Sequence, residues 1–233
     1  MTGSNFEPLK EMIIRVAEAL GPDILAQTAF VGGVTTGLLI TDDYARQSVR
    51  ATDDVDLITS TLGYVQHADF EDTLRRRGFR DETEDGVICR KIFENIKVDF
   101  MPTDDSLGFT NRWYSDALAT AENYEIKPGL QIRLLTPTYF IATKLEAWNG
   151  RGDNDYLASR DLEDILNLIN GRDTLVEDMR ISEKPVLRYI AAELGLLLAA
   201  SDFDYSLQIA TNGDSERMDY LVRRIQDLMG LAK

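Results

Sequence analysis

Two aspartates, Asp54 and Asp56, stand two residues apart in the stretch Arg-Ala-Thr-Asp-Asp-Val-Asp-Leu that runs from Arg50 to Leu57. On a β-strand side chains alternate faces, so residues two apart point the same way. Val55 and Leu57 then enter a core, while Asp54, Asp56 and Ile58 face the other side. Two carboxylates held side by side repel unless a cation sits between them. Hard divalent ions such as magnesium take oxygen ligands of this kind and usually share them with substrate phosphates. The competing reading is a strand end that happens to be acidic in an acidic chain.

Two further pieces lie on either side. Gly32-Gly33 follows the apolar run Ala26 to Val31 and precedes a helical pattern. A glycine turn between strand and helix lets the backbone approach a phosphate, with N–H groups and the helix N-terminus facing the anion. Thr35 and Thr36 add hydroxyls at the first turn. A Gly-Gly pair serves equally as a plain tight turn. Downstream, Asp99 sits in Lys97-Val98-Asp99-Phe100-Met101, where Ile96, Val98 and Phe100 alternate inward and Asp99 faces the opposite side. Asp99 either completes a carboxylate triad with Asp54 and Asp56 or is an exposed residue on an edge strand.

These residues need a scaffold, and the hydrophobic periodicity supplies one. Leu9, Ile13, Val16, Ala17 and Leu20 predict an amphipathic helix over Pro8–Leu20, stopped by Gly21-Pro22. Strands are expected over Ala26–Val31 and Asp54–Thr59, with a helix over Val34–Ile40 closed by a Thr41-Asp42-Asp43 turn. A charged helix spans Tyr64–Arg77. Gly86–Phe93 and Lys97–Met101 read as a hairpin joined by Glu94-Asn95-Ile96. Trp113–Ala121 reads as a helix, and Tyr124–Lys127 and Gln131–Leu135 as strands. From Thr136 onward only helices are expected, over 138–149, 158–169, 174–179, 184–200, 205–210 and 215–229. A Gly-, Asn- and Asp-rich loop, Gly150–Leu157, breaks the first two. The fold class is therefore an α/β (α+β) N-terminal half with a mixed sheet, residues 1–135, and an all-helical half, residues 136–233.

Composition narrows the function. The chain has 233 residues, enough to bury a real core. No apolar run approaches the roughly 18–20 residues of a membrane span, and the first residues lack the basic and apolar regions of a signal peptide. The single cysteine, Cys89, precludes an internal disulfide and suits a reducing cytoplasm; Val87 and Ile88 beside it suggest a buried strand thiol. The only histidine, His67, falls on a predicted helix, which disfavours a histidine-based triad or a zinc site. A net charge of −15 opposes polynucleotide binding, which relies on a basic footprint. One local basic stretch exists, Arg75, Arg76, Arg77 and Arg80 with Arg90 and Lys91 following. It reads either as an acceptor site or as a solvated helix end whose cations favour the dipole.

The order strand, Gly-Gly, helix, Asp-x-Asp strand, then a single Asp on a later strand resembles the DNA polymerase β-like nucleotidyltransferase superfamily, through Phe30-Val31-Gly32-Gly33 and Asp54-Val55-Asp56-Leu57. The long gap between the two motifs, and Arg50 and Thr52 ahead of the acidic pair, resemble its AbiEii-type branch. So do Lys144, Ala147, Arg151, Arg160, Asp161 and Asp164 further on. The likeness covers about Val31 to Leu168, and it departs at Val34, where that branch often has a hydroxyl residue. The resemblance implies transfer of an NMP from an NTP to an acceptor hydroxyl. It implies two magnesium ions on Asp54, Asp56 and Asp99, with Asp99 also taking the acceptor proton. Gly32, Gly33 and Thr35 (with Thr36) would hold the triphosphate. Arg50 would stand near the acidic pair or the nucleotide, Lys144 on the β and γ oxygens, and Asp161 would orient Lys144 or touch the base or ribose. The acceptor is a tRNA or other RNA, a protein side chain, or a small molecule such as an aminoglycoside. A toxin of a toxin–antitoxin or phage-defence system would have an antitoxin as partner. The competing function is a catalytically silent nucleotidyltransferase-like binding module.

Overall fold

The structure, a computed structural model, describes residues 5–60, 64–83, 86–105, 108, 111–151 and 155–233, with residues 64–67 by backbone alone. In chain order the elements are α1 (Phe6–Leu25), β1 (Thr28–Val31), a 3-10 turn (Gly33–Thr35), α2 (Thr36–Leu39), α3 (Asp43–Gln47), β2 (Asp54–Thr59), α4 (Tyr64–Arg76), β3 (Phe79–Asp81), β4 (Arg90–Phe93), β5 (Ile96–Pro102), α5 (Tyr114–Thr120), β6 (Glu122–Lys127) and β7 (Leu130–Leu134). Helices follow: α6 (Pro137–Arg151), α7 (Arg160–Gly171), α8 (Leu175–Arg180), α9 (Lys184–Ala199), α10 (Phe203–Ala210) and α11 (Ser215–Gly230). The chain is thus α/β, with a mixed sheet in its N-terminal half and helices in its C-terminal half. It divides into two compact units: residues 1–35 with 50–136, and 36–49 with 137–233.

In the first unit seven strands form one sheet in the order β3-β4-β5-β2-β1-β7-β6. Strand β2 pairs antiparallel with β1 and parallel with β5, and β1 pairs parallel with β7. Central strands of such a sheet are buried on both faces, and Val55, Leu57, Ile58 and Val98 are fully buried. Helix α1 contributes Ile13, Val16, Ala17 and Leu20 to this core. Its one break is at Gly21, whose φ of 67° and ψ of 169° are not helical; Pro22 then opens a final short stretch, where its missing N–H costs nothing.

The second unit is helical. Leu162, Ile165, Leu166 and Ile169 line one face of α7 and are buried with Leu145, Ile190, Leu194, Leu221 and Ile225. The segment 36–49 belongs here because the end of α7 receives it. Gly171 O accepts from the N–H groups of Thr41 and Asp42 at 3.0 and 2.9 Å, and Arg172 Nη1 donates to Leu39 O at 2.7 Å. A Cβ on Gly171 would come within 2.9 Å of Ile40 and of Ala45.

Several expectations change in detail. The residues read as a turn after Ile40 hold a cap: Asp42 accepts from Ala45 N at 2.6 Å and starts α3. The strand expected from Gly86 begins only at Arg90, and Cys89 is buried in the turn before it. Ile88 faces solvent, 73% exposed. The short β3 was not expected; it pairs antiparallel with β4 and sets Phe79 against Phe93, centroids 4.8 Å apart. Of the loop Gly150–Leu157, α6 takes Gly150 and Arg151, residues 152–154 lie outside the described residues, and Asp155 Oδ1 accepts from Leu157 N and Ala158 N. His67 lies on α4 as expected, its side chain outside the described set.

Candidate functional site

Register aligns the three N-terminal motifs. Val31 pairs with Asp56 across β1 and β2, Asp56 pairs with Asp99 across β2 and β5, and Asp99 pairs with Arg90 across β5 and β4. One step toward the start of β2, Asp54 pairs with Lys97. Paired residues share a sheet face, so Asp54, Asp56, Asp99, Lys97 and Arg90 form a polar patch where β1 ends in Gly32. Asp54 and Asp56 are half-buried and Asp99 is buried, 8% exposed. Asp99 sits on a central strand, so the edge-strand alternative falls away.

Gly32 carries a left-handed φ of 74°. A Cβ there would lie 1.8 Å from Asp56 Oδ2 and 2.9 Å from Asp56 Cβ. Asp56 thus rests directly on the glycine turn, which makes Gly32 obligatory for two independent reasons, conformation and space. Gly33 opens the 3-10 turn and is buried. Within that turn Thr35 donates both its N–H and its hydroxyl to Gly32 O, at 3.2 and 2.8 Å. Its hydroxyl proton therefore holds the turn rather than reaching outward. Thr36 opens α2 in the other unit; its Oγ1 is buried with no hydrogen-bond partner among the described residues.

Each carboxylate has a distinct setting. Thr52 Oγ1 donates to Asp54 Oδ1. Asp53, exposed, lies 3.8 Å from Lys97 Nζ. Arg50 is half-buried and its Nη1 approaches Ala51 O at 3.4 Å. Asp99 is gripped by a bidentate fork, Arg90 Nε to Oδ1 and Nη2 to Oδ2, both 2.7 Å. Nearby, burial pushes the Cys89 thiol up to about 11, and the charges of Asp99 and Asp56 add to the rise although Arg90 opposes it.

Among the described residues no three His, Cys, Asp or Glu side chains gather into a metal cage. A magnesium site held by one or two carboxylates with substrate phosphates needs no such cage. Asp54 and Asp56, hard oxygen donors on one face of one strand, fit that open kind of site. Asp99 would join it only as a shared ligand.

No family model and no curated protein matches this chain. The functional reading therefore stands on residues and geometry.

The second unit holds the later part of the expected set. Lys144 Nζ lies 3.1 Å from Asp161 Oδ1 and 2.7 Å from Asp164 Oδ2, and Arg151 Nε lies 3.1 Å from Asp161 Oδ2. Lys144, Asp161 and Asp164 are buried, 6, 5 and 1% exposed. Burial alone would raise the Asp161 carboxyl, but the charge of Lys144 and the hydrogen bonds of Arg151 and Lys144 leave it below its ordinary value. Asp161 pairs with Lys144. Lys144 is neither exposed nor isolated, and its ion pairs account for its burial.

The basic stretch is largely consumed internally. Arg75 faces Asp72 at 2.8 Å, with Glu71 and Asp81 at 3.8 and 3.9 Å. Arg77 binds Asp23 through 2.7 and 2.9 Å bonds and donates to Leu20 O. Lys91 joins Glu71 and Asp81, each at 2.5 Å. These bonds hold Asp23 and Asp81 below the usual carboxylate range. The cations tie α4 to α1 and β4, so they offer less of the footprint that an RNA acceptor needs.

Sequence reasoning underrated Arg90, which appeared only as one cation of a basic stretch. The missing signal was the turn. With the turn at Glu94-Asn95, Phe93 pairs with Ile96 and Arg90 falls opposite Asp99. Glu94, at φ 54°, occupies that turn.

Proposed function

We propose that the chain is a metal-dependent nucleotidyltransferase that moves an NMP from an NTP to an acceptor hydroxyl. The observation that carries this reading is the single row formed by Asp56 and Asp99 in register, with Asp56 seated on Gly32. Motifs 67 residues apart in sequence, from Gly32 to Asp99, converge at the mouth of one sheet.

Asp54 and Asp56 are the residues to hold magnesium, with Asp99 as the shared third carboxylate. When bound, magnesium would neutralise phosphate charge and acidify the acceptor hydroxyl. In the transfer, the bond from the α-phosphorus to the bridging oxygen breaks and pyrophosphate leaves. A new bond forms from the α-phosphorus to the acceptor oxygen, and the acceptor proton goes to a carboxylate or to water. The Gly32-Gly33 backbone lies beside Asp56, where a close-approaching phosphate would be received. The acceptor class stays open, with a small hydroxyl compound or a protein side chain favoured over a long RNA by the internal pairing of the arginine stretch. The toxin assignment and an antitoxin partner rest on the resemblance alone.

A second reading, a silent nucleotidyltransferase-like binding module, gains from one observation, the Arg90 fork on Asp99. The two part on one experiment. The protein is incubated with each α-labelled NTP, magnesium and a bacterial lysate, beside Asp56→Ala, and RNA, protein and small molecules are separated. The transferase reading expects label in one fraction with wild type and at least about a thousandfold less with the variant, about 4 kcal/mol of lost transition-state stabilisation. Equal labelling by both proteins would sink the metal assignment. Nucleotide binding without labelling would favour the silent module.

A further inference from the structure

We propose that Arg90 and a divalent cation are alternative partners of Asp99, so that Arg90 must release this carboxylate before it can serve a metal or accept a proton. The inference rests on the nucleotidyltransferase reading and adds to it a residue that gates the site.

The geometry argues for competition rather than coexistence. Both oxygens of Asp99 are engaged by one planar fork at 2.7 Å, the arrangement in which a guanidinium binds a carboxylate most strongly. The two side chains are only 14 and 11% exposed, so solvent does little to screen a second positive charge brought to the same carboxylate. A cation at Asp99 beside an undisturbed Arg90 would face direct repulsion. Arg90 stands at the start of β4, directly after a turn, on a long side-chain stem.

A permanent structural pair is the competing account, and it predicts the opposite sign. If the fork merely props Asp99 in place, losing it should weaken cation binding. If the fork competes, losing it should strengthen binding, and only when Asp99 is present.

The test uses the full chain and Mn2+ alone, with free ion counted by electron paramagnetic resonance, and needs no turnover. Wild type, Arg90→Gln, Asp99→Asn and the double variant form a cycle, with Asp56→Asn as the site control. The expected result is Mn2+ binding roughly tenfold tighter in Arg90→Gln, the scale of one charge-assisted bond removed from competition. That gain should vanish on the Asp99→Asn background. Binding by wild type that Asp56→Asn abolishes, with Arg90→Gln unchanged or weaker, overturns the gate and leaves the transferase reading standing. A gain that persists in Asp99→Asn also overturns it. No Mn2+ binding by wild type or Arg90→Gln overturns both. Should Arg90→Gln lose its circular dichroism spectrum, Arg90→Lys decides. It keeps the charge but not the fork, so tighter binding supports competition and weaker binding refutes it.

Discussion

Two groupings of carboxylates with cations, one in each unit, differ in how completely they are closed. In the second unit Lys144, Asp161 and Asp164 are buried and mutually bonded, with Arg151 on the outer side. In the first unit Asp54 and Asp56 are half-open to solvent, and Asp99 is gripped by the Arg90 fork. A buried ion pair is expensive to break because its removal strands the remaining charge. A half-exposed carboxylate is screened by solvent, so its loss costs little. The buried cluster of the second unit has the character of a structural joint, whereas the row of the first unit is the proposed metal site.

That contrast can be broken by charge. Lys144→Ala should destabilise the protein by about 3–5 kcal/mol, because it leaves Asp161 and Asp164 buried with one cation fewer. Asp56→Asn should change stability by no more than about 1 kcal/mol, because the charge interactions of a half-exposed side chain are screened by solvent. Urea unfolding of both variants checks the pair of signs. Equal losses would mean that the row is as much a structural joint as the cluster. Shape offers a smaller effect. Gly32→Ala forces a left-handed backbone on alanine and drives its methyl into Asp56. A loss of about 1–3 kcal/mol is expected, with Mn2+ affinity falling as Asp56 is displaced. Unaltered stability and affinity together would refute the seating of Asp56 on Gly32.

Much of this was legible in the residues. Strand β2 was read at its observed limits, and the switch from strands to helices fell where the sheet ends, because alternation and helical spacing are local properties. That Asp99 faces away from Ile96, Val98 and Phe100 was legible from alternation, but its alignment with Asp56 came only from the pairing of β2 with β5. What escaped was non-local. Segment 36–49 packs on the end of α7 through Gly171 and Arg172, residues some 130 positions away, which no periodicity reports. Arg90 was hidden by a one-residue choice of turn, since register decides which side chain lies opposite which. Arg77, just past α4, looked like part of a surface patch in sequence because its partner, Asp23, comes from α1, and Arg75 also faces Asp81 from β3.

The smallest effect sharpens the comparison from within the closed cluster. Asp161 is held below its ordinary carboxylate value of 3.8 despite a burial that would raise it, by Lys144 and Arg151. A carboxyl depressed on folding stabilises the native state at any pH above its unfolded value, and that stabilisation is lost as the pH falls through its folded value. Asp161→Asn should therefore be less stable than wild type at pH 7, and the gap between the two should narrow only in the acid limb, below about pH 4. Other depressed carboxyls, Asp23 and Asp81, steepen the acid limb of both proteins alike and cancel in the difference. Urea midpoints from pH 7 to pH 3 read the gap directly. A gap that stayed constant down to pH 3 would mean that Asp161 is not held by charge, and the cluster would lose the feature that sets it apart from the open row.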